Sequence, residues 1–206
     1  NAVVHRLPPT LRRLVVQQCF KLTAAASFTH LPSLTSLDCS HTRALDAGLD
    51  ALPPSLQELC MTWCGLGYQY SGPGAIRFQS LPALRVLKWQ MGKASAANVA
   101  TLPPTLEVLD ISWNLDVDAI LLAHLPRLRV FHAALTPIDD CTVAALPASL
   151  GVLTLWGCHK ITPAASFTHL GALRTLDIRG TGIAIVNRAS LPPSLVSLKS
   201  GALLFP

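Results

Sequence analysis

Six cysteines, seven histidines and eleven carboxylates are the side chains of this 206-residue chain that could perform nucleophilic, acid–base or metal chemistry. Their spacing argues against most of it. The cysteines form no CxxC pair, and the neighbours Cys158 and His159 diverge at a turn, so no set has zinc-ligand spacing and no metal is expected. The glycine-rich stretch from Gly67 to Gly74 lacks a lysine and a following helix cap, so it cannot cradle phosphate, and no cofactor is expected. Cysteines without a pairing pattern, in a chain long enough to bury a core, read as free thiols in a reducing compartment. No leader of basic and then apolar residues opens the chain, and the expected location is intracellular, in the cytoplasm. Three combinations remain: Cys60 with His132, Cys60 beside Lys88, and Asp110 with His132 and Ser112. Judging them requires the elements that would carry them.

Half of the residues are hydrophobic and 13% are charged, which supports a folded core. The longest uncharged run, Cys141 to His159, contains Pro147 and Gly151, so no membrane span is expected. An internal repeat organises the chain. CFKLTAAASFTHLPSLTSLD, ending at Asp38, returns as CHKITPAASFTHLGALRTLD, ending at Asp177. Anchor leucines at the ends of LPPxL or LPxL corners fall at Leu11, Leu34, Leu56, Leu84, Leu106, Leu128, Leu150, Leu173 and Leu195, separated by 22 or 23 residues except for one gap of 28. From each anchor the pattern runs LxxLxLxxC or a close variant, as in Leu150, Leu153, Leu155 and Cys158. Alternation at the fourth and sixth positions predicts a short strand with those residues inward. The break after the ninth position predicts a turn, and Thr162-Pro163 predicts a short helix over the following AASFTH.

This pattern resembles the leucine-rich repeat family, whose signature is L-x-x-L-x-L-x-x-N/C-x-L. The alternation of LPPSL with LPxL, with cysteine or threonine at the turn, looks most like the cysteine-type repeats of substrate receptors and of kinetoplastid leucine-rich repeat proteins. The resemblance implies an α/β fold: a curved right-handed solenoid, with parallel strands on the concave face and short helices or irregular turns on the convex one. Residues 1–206 read as a single domain of about nine repeats of 22–23 residues with an insertion at 65–80. Asn1 to Arg6 look like the end of a preceding unit, and Leu203, Leu204 and Phe205 want a cover, so a longer array or a covering subunit is expected.

Placed in this register, the chemical candidates separate. Outward fifth-position residues include Asp38, Cys60, Lys88, Asp110, His132 and Thr154. Cys60 and His132 are three strands apart, about 14 Å, too far for a thiolate and its base. Asp110 and His132 are neighbours able to hydrogen bond, yet an open sheet supplies neither an oxyanion pocket nor exclusion of water, so no catalytic residue is expected. Binding is the better expectation. The eighth positions of four consecutive units are Trp63, Met91, Trp113 and Leu135, with Trp156 one position earlier in the next unit. Such enrichment suits an interface core, the alternative being that the rings fold over the edge to cap the interior. Tyr68 and Tyr70 lie in the long unit. The expected function is a non-enzymatic scaffold binding a protein through the concave face and the strand ends, with Lys88, Asp110 and His132 setting orientation. Arg12, Arg13, Arg85, Arg129 and Arg174 form a mild basic edge in a chain of net charge +5. They support a second reading, a nucleic-acid or ribonucleoprotein component.

Overall fold

The computed structural model describes residues 4–23, 26–45, 52–64, 78–117, 120–183 and 187–201. Nine three-residue strands form one parallel sheet in strict chain order: β1 Arg13–Val15, β2 Ser36–Asp38, β3 Glu58–Cys60, β4 Val86–Lys88, β5 Val108–Asp110, β6 Val130–His132, β7 Val152–Thr154, β8 Thr175–Asp177 and β9 Ser197–Lys199. The middle residue of each strand points inward. From β2 to β8 these are Leu37, Leu59, Leu87, Leu109, Phe131, Leu153 and Leu176, all fully buried. Leu14 and Leu198 are less covered, because β1 and β9 each have a neighbouring strand on one side only.

The corners explain the two spellings of the repeat. In both, the anchor amide bonds to the carbonyl three residues back, as in Leu34 to Leu31 and Leu56 to Pro53. Proline occupies the second turn position in seven of the nine corners, where its fixed φ suits the turn. The longer spelling adds a Ser or Thr whose hydroxyl reaches the preceding anchor carbonyl: Ser55 to Leu34, Thr105 to Leu84, Ser149 to Leu128 and Ser194 to Leu173, each at 2.8 Å. Strands β2 to β9 are then entered alike. The carbonyl of the second residue accepts the amides of two successive residues in the next unit, as Arg12 does from Thr35 and Ser36.

Ninth-position side chains form an internal ladder. Thr42, Asn114, Thr136 and Thr181 donate to the carbonyl three residues back, those of Cys39, Ile111, Ala133 and Ile178. Cys64, Asn114 and Cys158 reach into the preceding unit, to the carbonyls of Cys39, Trp89 and Ala133. The fourth unit carries Gly92 at this position, because Trp89 fills the space: a Cβ there would lie 2.2 Å from the Trp89 Nε1. Cys19, at the ninth position of the first unit, is exposed.

Among the described residues the return segments hold two short helices, α1 Ala96–Val99 and α2 Asp140–Ala144, and 3-10 turns at Val4–Arg6, Phe78–Ser80 and Arg188–Ser190. The helix expected over AASFTH does not form. The Ala164 amide bonds to the Thr162 hydroxyl and the Phe167 amide to the Ser190 carbonyl of the next unit, so the backbone follows its neighbour while burying Phe167. Phe78 is buried three residues before its corner leucine, as Phe28 and Phe167 are, so Phe78–Ser80 belong to the repeat and the extra residues of the long unit precede them.

Candidate interaction surface

The open face of the sheet carries the third and fifth residues of each unit. Cys60 pairs with Lys88, Lys88 with Asp110, Asp110 with His132 and His132 with Thr154 in the strand register. Asp110 and His132 do not hydrogen bond. The Asp110 carboxylate accepts the Ser112 amide at 3.0 Å and the Gln90 side-chain amide, while His132 Nδ1 shares a 2.8 Å bond with the Thr154 hydroxyl. Their strand adjacency therefore produces no acid–base pair, because each group has a nearer partner in the repeat frame. Asp38 takes the Ser40 amide and the Gln17 side chain in the same manner. Asp177 binds the Arg179 guanidinium through both oxygens, at 2.9 and 2.7 Å. The signal for this recurrent capture was the aspartate at the fifth position itself, whose carboxylate takes the amide two residues on in each case. Lys88 is exposed.

The eighth position has a property that the sequence pattern did not reveal. In eight successive units it adopts a left-handed backbone: Gln18, His41, Trp63, Met91, Trp113, Leu135, Gly157 and Gly180, with φ between 50° and 72°. The available clue was that Gly157 and Gly180 share the register of the tryptophans. This conformation turns the side chain outward at the end of each strand. Trp63 is 47% exposed, Met91 36% and Trp113 45%, so the rings do not fold inward to cap the core. Leu135 is half-buried and leans over Gly157, where a Cβ would meet its Cδ2 at 2.6 Å. Trp156 is half-buried and meets Trp113 edge to face, with centroids 6.2 Å apart, and His41 lies 5.7 Å from Trp63. Trp63, Met91, Trp113, Leu135 and Trp156 thus belong to one strip along the strand ends. Tyr68 and Tyr70 lie outside the described residues.

The basic edge is partly neutralised. Arg85 donates to Glu107 from Nε at 3.0 Å and Nη2 at 2.8 Å, whereas Arg12, Arg13, Arg129 and Arg174 stand exposed. Among the histidines that precede corner leucines, His30 bonds to the Val4 carbonyl, while His124 and His169 are exposed. Among the described residues no group of three or more His, Cys, Asp or Glu could hold a metal ion, and no helix is long and apolar enough to cross a membrane.

No family model matches the chain, and no curated protein matches it by sequence. Solved structures do match in shape. The functional domain of InlJ from Listeria monocytogenes, described as including a cysteine ladder, superposes with a TM-score of 0.65 at 19% identity over 95% of this chain and 41% of that one. The internalin InlF from Listeria monocytogenes str. 4b F2365 gives 0.68 at 14% identity over 94% of this chain and 56% of that one. TLR13 in a complex with ssRNA13 gives 0.63 at 18% identity over 93% of this chain and 32% of that one. The chain spans little more than half the length of the longest-covered of these structures, and the likeness is one of architecture. With nine parallel strands in chain order, a polar ladder inside and these neighbours in shape, the chain is a leucine-rich repeat solenoid.

Proposed function

We propose that the chain is a non-enzymatic scaffold whose protein partner lies over the strand ends and the adjoining open face. Trp63, Met91, Trp113, Leu135 and Trp156 supply the apolar contact, Lys88, Asp110 and His132 the polar one, and Tyr68 and Tyr70 a side contact from the long unit. One observation carries this reading: large apolar side chains occupy positions where the backbone favours glycine. A left-handed conformation costs a non-glycine residue about 1–2 kcal/mol, and Trp63 and Trp113 adopt it while leaving nearly half of their surface to water. Large apolar groups held at strained positions and still facing solvent suit a binding surface. We further propose that additional repeats or a covering subunit flank the array, and that its thiols work reduced, inside the cell.

The test begins with affinity capture on the full chain and identification of the partner by mass spectrometry. Replacing Trp63 and Trp113 together by glycine should weaken that partner by at least about 2 kcal/mol, and Arg174→Ala by less than about 1 kcal/mol. The opposite ranking, with folding unchanged, favours the second reading, a nucleic-acid-associated repeat using Arg12, Arg13, Arg129 and Arg174. That reading rests on the exposed arginines and on TLR13, a structural neighbour determined with RNA. Its mark would be a steep salt dependence of binding.

A further inference from the structure

Around the strand-end strip most of the described carboxylates keep their charge but are fixed by hydrogen bonds within the repeat: Asp38 and Asp110, the latter the strand partner of Lys88, by amides, Asp177 by Arg179, and Glu58 by the Ser36 hydroxyl. Beyond the turns, Asp139 accepts the Thr142 amide at the start of α2, and Asp140 accepts both the amide and the hydroxyl of Thr162. Among the described residues Asp116 is the exposed exception. Lys88, three residues before Met91, and Lys93, two residues after it, are both exposed, and neither has an ion-pair partner among the described residues. The middle of the strip therefore presents apolar side chains with a cation on each flank. Its four units span about 14 Å at the usual strand separation, the length of four or five extended residues.

Building on the reading of the strip as a binding surface, we propose that its occupant is an acidic, apolar polypeptide segment. The segment sets its apolar side chains on Trp63, Met91, Trp113 and Leu135 and its carboxylates against Lys88 and Lys93. A single-stranded nucleic acid fits less well, because Met91 and Leu135 offer no aromatic face to a base and two lysines are a sparse match for a run of phosphates.

A display library of random peptides about a dozen residues long, selected on the immobilised full chain, tests this. The selected peptides should show a several-fold excess of Asp and Glu together with aromatic or aliphatic residues. Combined Lys88→Glu and Lys93→Glu should weaken them at least about ten-fold, as should combined Trp63→Gly and Trp113→Gly. Glycine suits the left-handed backbone, and a thermal melt checks that each variant folds. Peptides lost on the tryptophan variant but lacking acidic excess, or indifferent to the lysine reversal, overturn the acidic occupant and leave the rim as a binding surface. Peptides that bind the tryptophan variant as well as the unmodified chain overturn both. Failure to enrich any peptide, or tighter binding of a random RNA pool at the same salt, also overturns the proposal.

Discussion

At Met91 the backbone and the side chain make opposite demands. With φ at 50° the backbone would accept glycine without strain, whereas any Cβ is disfavoured. Met91→Gly should therefore be more stable than Met91→Ala by about 0.5–1 kcal/mol in urea unfolding, after the greater freedom of unfolded glycine is subtracted. Equal stability, or alanine ahead, would show that this turn carries no conformational strain. Gly157→Ala makes the reverse change, and the added Cβ must also displace Leu135, so it should lose about 1 kcal/mol or more. Asp177 supplies a pH test. Burial pushes its carboxyl up, but the hydrogen bonds and charge of Arg179, with Lys199, outweigh burial and hold it below its ordinary value of 3.8. A depressed carboxyl contributes stability that is complete above the ordinary value and lost as pH falls through the folded one. Stability curves of the unmodified chain and Arg179→Ala should thus stand apart at neutral pH and draw together below about pH 4. A gap independent of pH would assign the effect of Arg179 to packing.

Each unit is held through its neighbours, and the ninth-position ladder shows how. Asn114 donates to the Trp89 and Ile111 carbonyls and accepts from the Ala94 amide, so Asn114→Ala leaves three buried backbone groups without that partner. The loss should be at least about 2 kcal/mol by chemical unfolding, and a loss below about 0.5 kcal/mol would mean that the ladder is ornamental. Gly92→Ala should cost about 1–3 kcal/mol by driving a Cβ into the Trp89 ring, and Trp89→Phe in the same chain should recover part of it. Strand register and inward leucines were legible in the sequence because spacing alone determines them. Three features were not. The AASFTH segment follows a plausible helix start, but its Phe167 amide answers to the adjoining unit, which no local propensity encodes. Asp110 and His132 have the register of a pair, yet Gln90, Ser112 and Thr154 take their bonds first. The left-handed row was hidden because tryptophan and methionine are poor reporters of a conformation that glycine marks.

Across the whole molecule the six thiols fall into two populations. Cys19 and Cys141 are exposed and Cys60 half-buried, whereas Cys39, Cys64 and Cys158 lie inside the ladder. The hydrogen bond from Cys64, followed by burial, pushes the Cys39 thiol up, and burial raises Cys158. Cys39 and Cys158 are thus held as neutral thiols, which are poor nucleophiles, whereas the hydrogen bond with Cys39 pushes the Cys64 thiol down and leaves burial to shield it. In the native chain an alkylating reagent should modify Cys19, Cys141 and more slowly Cys60, leaving the other three until denaturant is added. The labelling rates of Cys39 and Cys158, beside β2 and β7 and so five strands apart, then measure whether the solenoid opens as one unit or from its parts. Immediate reaction of all six would place the ladder in contact with solvent.

The left-handed row also sorts the indoles by environment, and so provides optical reporters. Trp89 is enclosed beside Phe78, while Trp63 and Trp113 face water. An aqueous quencher should dim the emission of Trp63 and Trp113 and spare that of Trp89. Replacing the outer two by glycine should leave a blue-shifted spectrum from Trp89 and the half-buried Trp156, whereas the unmodified chain registers events at its rim as changes in the red side of the same band.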